Sequence, residues 1–106
     1  MESVYSILEL PVRAGDGDEL ADRFAELRIF ELAGRHGGLR SARLLRPLES
    51  GRPFVVVSEW DAAESYRAWL ADPERTRVNA ELLPLLDGEL RGGPYEALDG
   101  QGGGAT

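Results

Sequence analysis

The sequence predicts an α+β fold of ferredoxin-like βαββαβ order: an antiparallel four-stranded sheet with helices on one face. Three observations lead there. Strand-like and helix-like segments follow one another as strand, helix, strand, strand, helix, strand. Each helical segment opens on an acidic residue with a second acid three positions on, the pattern of a capping box. The third strand is apolar at both parities, so both of its faces are expected to be buried. One helical layer covers one face only. The other is expected to meet a second sheet, most simply that of an identical chain, which makes a homodimer the predicted assembly.

Taken in order, Val4 to Leu10 alternates in part and ends at Pro11, a first strand closed by a turn. Asp16 with Glu19 supplies helix-start chemistry, and Leu20, Phe24 and Leu27 then recur at helical spacing in a helix expected to run to about Ala33. Gly34 and Gly37-Gly38 end it. Leu39 to Arg46 reads as the second strand, Pro47 to Pro53 as a hairpin loop, and Phe54 to Trp60 as the strongest strand of the chain. Asp61 and Glu64 repeat the capping pattern before a helix carrying Tyr66, Trp69 and Leu70. Asp72-Pro73 restarts that helix, which continues through Val78 and Leu82 to Pro84. Pro94 to Leu98 is expected to be a short last strand. The chain thus reads as one domain over 1–98 followed by a disordered Gly-rich tail over 99–106.

Composition excludes several functions. There is no Cys, which removes disulfides, thiolate nucleophiles and thiolate metal sites, and a single histidine, His36, argues against an all-protein transition-metal site. No resident cofactor and no metal are expected. The net charge of −7 is the wrong sign for a nucleic-acid surface. All the basic residues are Arg, so Schiff-base and P-loop lysine chemistry are absent. No apolar run reaches membrane-spanning length and no signal-like N-terminus is present, so the protein is expected to be cytoplasmic, with no membrane partner.

The run FVVVSEWDAAESYRAWLADPER, from Phe54 to Arg75, resembles the antibiotic biosynthesis monooxygenase family, and the resemblance extends over roughly residues 2–98. In that family a third strand ends in Trp, an acidic cap follows, and a short helix gives way to a second one. The resemblance implies a dimeric α+β barrel. It further implies cofactor-independent oxygenation, with O2, of an aromatic polyketide-type phenol or hydroquinone in antibiotic biosynthesis. The family also holds quinol monooxygenases and haem-degrading enzymes, and related barrels include polyketide cyclases and dismutating haem enzymes. A cyclase or isomerase and a non-catalytic dimeric binding protein therefore stand as alternatives. Haem-degrading members place an iron-binding His ten residues after the Trp matched by Trp69, where this chain has Asn79, and a polar Asn on the first strand, matched here by Leu8. An amide is a poor axial ligand, so haem is not the expected substrate. Polyketide-oxygenating members carry an Asn four residues before the strand-end Trp, where Val56 stands here.

Six residues are the candidates for the site. His36, the one side chain with an ordinary pKa near neutrality, is a candidate general base, or else a loop residue at a helix C-terminus. Tyr66 offers a hydroxyl and Asn79 an amide to a phenolate or carbonyl. Trp60 and Trp69 would wall a planar substrate, or else simply pack the core. Arg77, with Arg75 beside it, would hold an anionic group, or else face solvent. Glu9 and Glu59 are weaker acid–base candidates because carboxylates on strands near a sheet edge are usually solvated.

Overall fold

The computed structural model of the chain describes residues 3–101. Strand β1 (Val4–Leu10) leads to helices α1 (Gly17–Glu26) and α2 (Ile29–Ala33), strands β2 (Leu39–Leu45) and β3 (Phe54–Trp60), helices α3 (Ala63–Leu70) and α4 (Pro73–Leu82), and strand β4 (Arg91–Glu96). The four strands form one sheet in the order β2-β3-β1-β4, every pair antiparallel. That is the expected ferredoxin-like arrangement.

Register decides what each face carries. Ser6 lies opposite Ser58, Leu8 opposite Val56 and Leu10 opposite Phe54. These side chains, with Trp60, share the face covered by the helices, and Leu10, Phe54, Val56 and Trp60 are buried in one core with Leu20, Phe24, Trp69, Val78 and Leu82. The other parity, with Ile7 opposite Val57 and Glu9 opposite Val55, forms the outer face. Val55 and Val57 are half-buried there by their own sheet neighbours, while Leu45 and Tyr95 of the flanking strands are exposed.

Four expectations are corrected. The first helix is not continuous: Arg28 adopts a left-handed backbone, φ 53, between α1 and α2. Such a conformation costs about 1–2 kcal/mol in a non-Gly residue. It is offset because the turn keeps Ile29 and Ala33 in the core and sets Phe30 edge-on to Phe24, ring centroids 5.1 Å apart. The first two capping boxes do not form. Asp16 makes no side-chain cap, and Asp61 accepts instead from Ser65 Oγ at 2.6 Å, leaving Ala62 at the start of α3. Asp72 does cap α4, accepting from the Glu74 backbone N–H at 2.9 Å. Finally, the last strand is Arg91–Glu96 rather than Pro94 to Leu98, and Leu98 is fully out in solvent. Gly92-Gly93-Pro94 has little strand propensity of its own. It pairs because β1 offers an open edge, and an edge strand tolerates Pro. Gly92 is required where it stands, since a Cβ would run into the Ile7 carbonyl oxygen. Of the expected Gly-rich tail, 102–106 lie outside the described residues and 99–101 are exposed.

Candidate active site

Between the sheet and the helical layer lies a cavity of about 200 Å³. Its floor is the inner face of β1 and β3, where Ser6, Leu8, Val56, Ser58 and Trp60 reach it. Helix α3 contributes Tyr66, Trp69 and Leu70, and α4 contributes Arg75, Asn79 and Leu82. Phe24, Ile29, Phe30 and Ala33 close the side formed by α1 and α2, and Leu90, Gly92 and Gly93 form the rim beside β4.

Local sequence explains the positions. Tyr66 and Trp69 are three residues apart and share one face of α3. Asn79 and Arg75 are four apart on α4 and face the same cavity from the opposite helix. Trp60, 1% exposed, is the last residue of β3. Its indole N–H donates to Ser6 Oγ at 3.0 Å, and its ring lies 5.8 Å from that of Tyr66, tilted by 56°. Burial pushes the Tyr66 phenol above its ordinary pKa of 10.0, while the nearby Arg75 guanidinium pulls the other way. Tyr66 therefore stays a neutral donor across the physiological range. The cavity thus combines aromatic walls with four kinds of polar group: hydroxyls on the floor, a protonated phenol, a guanidinium and an amide. Among the described residues, none of the side chains that line it is an imidazole or a carboxylate.

Four of the six candidate residues, Trp60, Tyr66, Trp69 and Asn79, come together in this cavity. Two do not. His36 is absent from the lining. Its Nε2 sits 2.8 Å from Asp72 Oδ2, and Arg35 Nη2 donates to the same oxygen at 2.8 Å. The Asp72 carboxylate is almost wholly buried and holds the turn after α2 against the start of α4. The Glu74 backbone hydrogen bond, then His36 and Arg35, lower its pKa to about 2. Arg77 pairs with Glu74 on the solvent side of α4 at 2.6 Å, and Arg75 occupies the place in the cavity that Arg77 was expected to fill. Glu9 and Glu59 are on the outer face of the sheet; Glu59 accepts from Ser3 Oγ there. Sequence reasoning missed Ser6 and Ser58. Their signal was a polar residue at the inward parity of a strand whose other inward residues are apolar.

A larger and more open groove of about 870 Å³ runs between the loop after β1, the β2–β3 hairpin and the segment before β4. Its Arg46 is tied to Asp18 at 2.7 Å and lies over the Phe54 ring, and its Arg52 pairs with Glu49. It is the more open of the two and has no enclosed wall, so the smaller cavity is the better reaction vessel.

No helix among the described residues is long and apolar enough to cross a membrane. Over 70 residues the chain is 36% identical to a mycobilin-producing haem oxygenase of Mycobacterium tuberculosis, a match spanning 66% of this chain and 65% of the relative's length. That relative is of the haem-degrading kind which Leu8 and Asn79 argued against, so the sequence as a whole is nearer to it than those two positions imply. Among solved structures, SnoaB, a cofactor-independent oxygenase from Streptomyces nogalater, superposes with a TM-score of 0.78 at 21% identity, covering 94% of this chain and 97% of its own. The haem-degrader MhuD of Mycobacterium tuberculosis, with two haems bound, superposes with a TM-score of 0.72 at 28% identity, covering 93% and 99%. The family description "antibiotic biosynthesis monooxygenase" matches residues 3–81, and the chain belongs to that family.

Proposed function

We propose that the protein is a cofactor-independent oxygenase of a planar aromatic phenol, hydroquinone or ring ketone, bound in the cavity between the sheet and α3–α4. The observation that carries this reading is the cavity itself, in which Trp60, Trp69 and Tyr66 face a guanidinium and an amide on α4. Membership of a monooxygenase family supports the reaction class. A carbanion or phenolate of this kind passes one electron to O2, and the resulting radical pair combines at a ring carbon. The hydroperoxide so formed loses water to leave a new carbonyl: one oxygen atom enters the product and the other leaves as water. The protein has to favour the anion and keep the radical pair dry. Arg75 stabilises the negative charge, Tyr66 donates to it and the aromatic walls exclude water. With no imidazole or carboxylate in the lining, the proton goes to solvent and the ionisation that matters is the substrate's own.

The outer face is the proposed dimer interface. It carries Ile7, Val55 and Val57 in its middle, with Leu45 and Tyr95 exposed beside them. A second reading of the substrate is haem, favoured by the 36% identity to a haem oxygenase. The cavity fits it poorly, because no His lines it and its one phenol is kept neutral by burial.

An oxygen electrode tests the proposal with EDTA-treated protein and a panel of anthrone- and naphthol-type substrates. Uptake of one O2 per anthrone converted, with quinone as product, is expected. Cyclised product without O2 uptake would move the assignment to a cyclase, and binding without product to an accessory protein.

A further inference from the structure

Two hydroxyls on the cavity floor have no part in the reading so far. Ser6 and Ser58 face each other across β1 and β3 on the inner face of the sheet, and they are 9% and 6% exposed. Directly opposite residues in an antiparallel pair bring their Cβ atoms to about 4.5–5.5 Å, so the two hydroxyls flank a single point. Around them the floor is Leu8, Val56 and the Trp60 ring. A polar pair in such a setting is costly unless something uses it.

The hydrogen bonding shows which way the pair faces. Ser6 Oγ accepts the Trp60 indole N–H at 3.0 Å. A hydroxyl has one proton and two lone pairs, so Ser6 keeps its own proton to donate. The bond it accepts polarises that proton and makes it a better donor. Ser58 makes no side-chain hydrogen bond among the described residues and lines the cavity. Two donors at one point, in an otherwise apolar floor, match a single oxygen atom with two lone pairs.

We infer that Ser6 and Ser58 form a two-hydroxyl cradle for one ring oxygen of the substrate, a ketone or phenolate oxygen conjugated with the carbon that reacts. This inference rests on the proposed function and narrows its substrate class. The substrate carries an oxygen at the edge facing the sheet, and a hydrocarbon ring of the same shape is rejected. Trp60 is then a positioning residue, acting on the substrate through Ser6 as well as by its ring. Arg75 and Asn79 on α4 face the same cavity from the helical side, so the ring lies between two polar edges with aromatic walls along its planes.

The test compares two probes of nearly one shape, anthrone and dihydroanthracene, which differ in the ring oxygen. Binding is read under anaerobic conditions from quenching of the Trp emission. The native protein is expected to bind anthrone about tenfold more tightly than dihydroanthracene, the value of one well-placed hydrogen bond to a buried donor. Ser58→Ala should remove that preference by weakening anthrone alone, and Ser58→Thr should restore it. A purely structural role for Ser58 would weaken both probes alike and leave their ratio unchanged, and that result overturns the cradle. Equal binding of both probes by the native protein also overturns it, while leaving the aromatic cavity reading intact. Failure of either ring to bind would remove the proposed function and the cradle together.

Discussion

Trp60→Phe isolates the contact that joins the core to the cavity. The indole is 1% exposed and donates to Ser6 Oγ at 3.0 Å. Phe keeps a six-membered ring but loses the donor and roughly three heavy atoms of buried volume, or about 2 kcal/mol at ~0.8 kcal/mol per carbon group. Loss of the hydrogen bond adds about 1 kcal/mol. The total of about 3 kcal/mol is a large share of the ~5–15 kcal/mol that holds a domain of this size together, and translates to a fall in Tm of about 12–24 °C. Ser6→Ala should cost about 1–3 kcal/mol by a different route, because it leaves the buried indole N–H without an acceptor. In the double variant the lost hydrogen bond is counted once, so its cost should fall short of the sum by about 1 kcal/mol. Urea unfolding at one fixed protein concentration measures all four proteins, with the m-value checked for constancy. Additivity to within about 0.3 kcal/mol would refute the coupling, and with it the view that Ser6 is polarised by Trp60.

Four further outcomes are expected. Tyr66→Phe should lower the oxygenation rate by about 10²-fold, as loss of a donor to a developing anion does, whereas His36→Ala should leave kcat within about twofold because His36 does not line the cavity. Tyr66 itself should ionise above 10.0 in an ultraviolet titration and move further up in Arg75→Met, since burial raises it and Arg75 lowers it. Asp72 falls from 3.8 to about 2 on folding, so its contribution is complete above pH 3.8 and is lost as the pH drops through about 2. Asp72→Asn should flatten the acid limb of the Tm–pH curve across that interval. Val57→Asp places a charge in the middle of the outer face, and sedimentation equilibrium should show it converting a dimer of the native chain into monomers. A native chain that is monomeric at micromolar concentration would remove the dimer proposal.

The elements legible in the sequence were those whose own residues carry the signal. Phe54 to Trp60 is apolar at both parities and is β3 as expected, and Asp72-Pro73 opens α4 because side chain and ring both suit a first helical turn. The elements misread were those decided by a partner elsewhere in the chain. Arg28 breaks the first helix because Phe24 and Phe30 gain by meeting, and Gly92-Gly93-Pro94 becomes a strand because β1 has a free edge. The site follows the same division. Helical spacing put Tyr66 and Trp69 on one face, and both line the cavity. Choosing Arg75 over Arg77 required knowing which face of α4 meets the sheet, and Asn79 supplied that phase: a residue four positions back shares its face, one two back does not. His36 was drawn towards the site by its pKa and its place after the first helix, and the buried carboxylate of Asp72 claims it instead.

The remaining question is whether the likeness to a haem oxygenase outweighs the chemistry of the cavity. An identity of 36% over 70 residues is mostly a statement about a scaffold, and the reaction depends on the few side chains that reach the substrate. Haem needs an axial ligand and room for a macrocycle. This cavity offers about 200 Å³, below the ~300–1,000 Å³ usual for larger ligands, and its lining has no imidazole. Tyr66 could bind iron only as a phenolate, and burial opposes that ionisation. Adding hemin to the purified protein should therefore give no stoichiometric Soret shift, and ascorbate should drive no degradation of the porphyrin. A tight one-to-one shift that Tyr66→Phe abolishes would show the phenol serving as the axial ligand after all. Degradation of that bound haem would make it the substrate and displace the aromatic phenol. A shift that Tyr66→Phe leaves unchanged would place haem outside this cavity, and the oxygenase reading would stand on the anthrone assay alone.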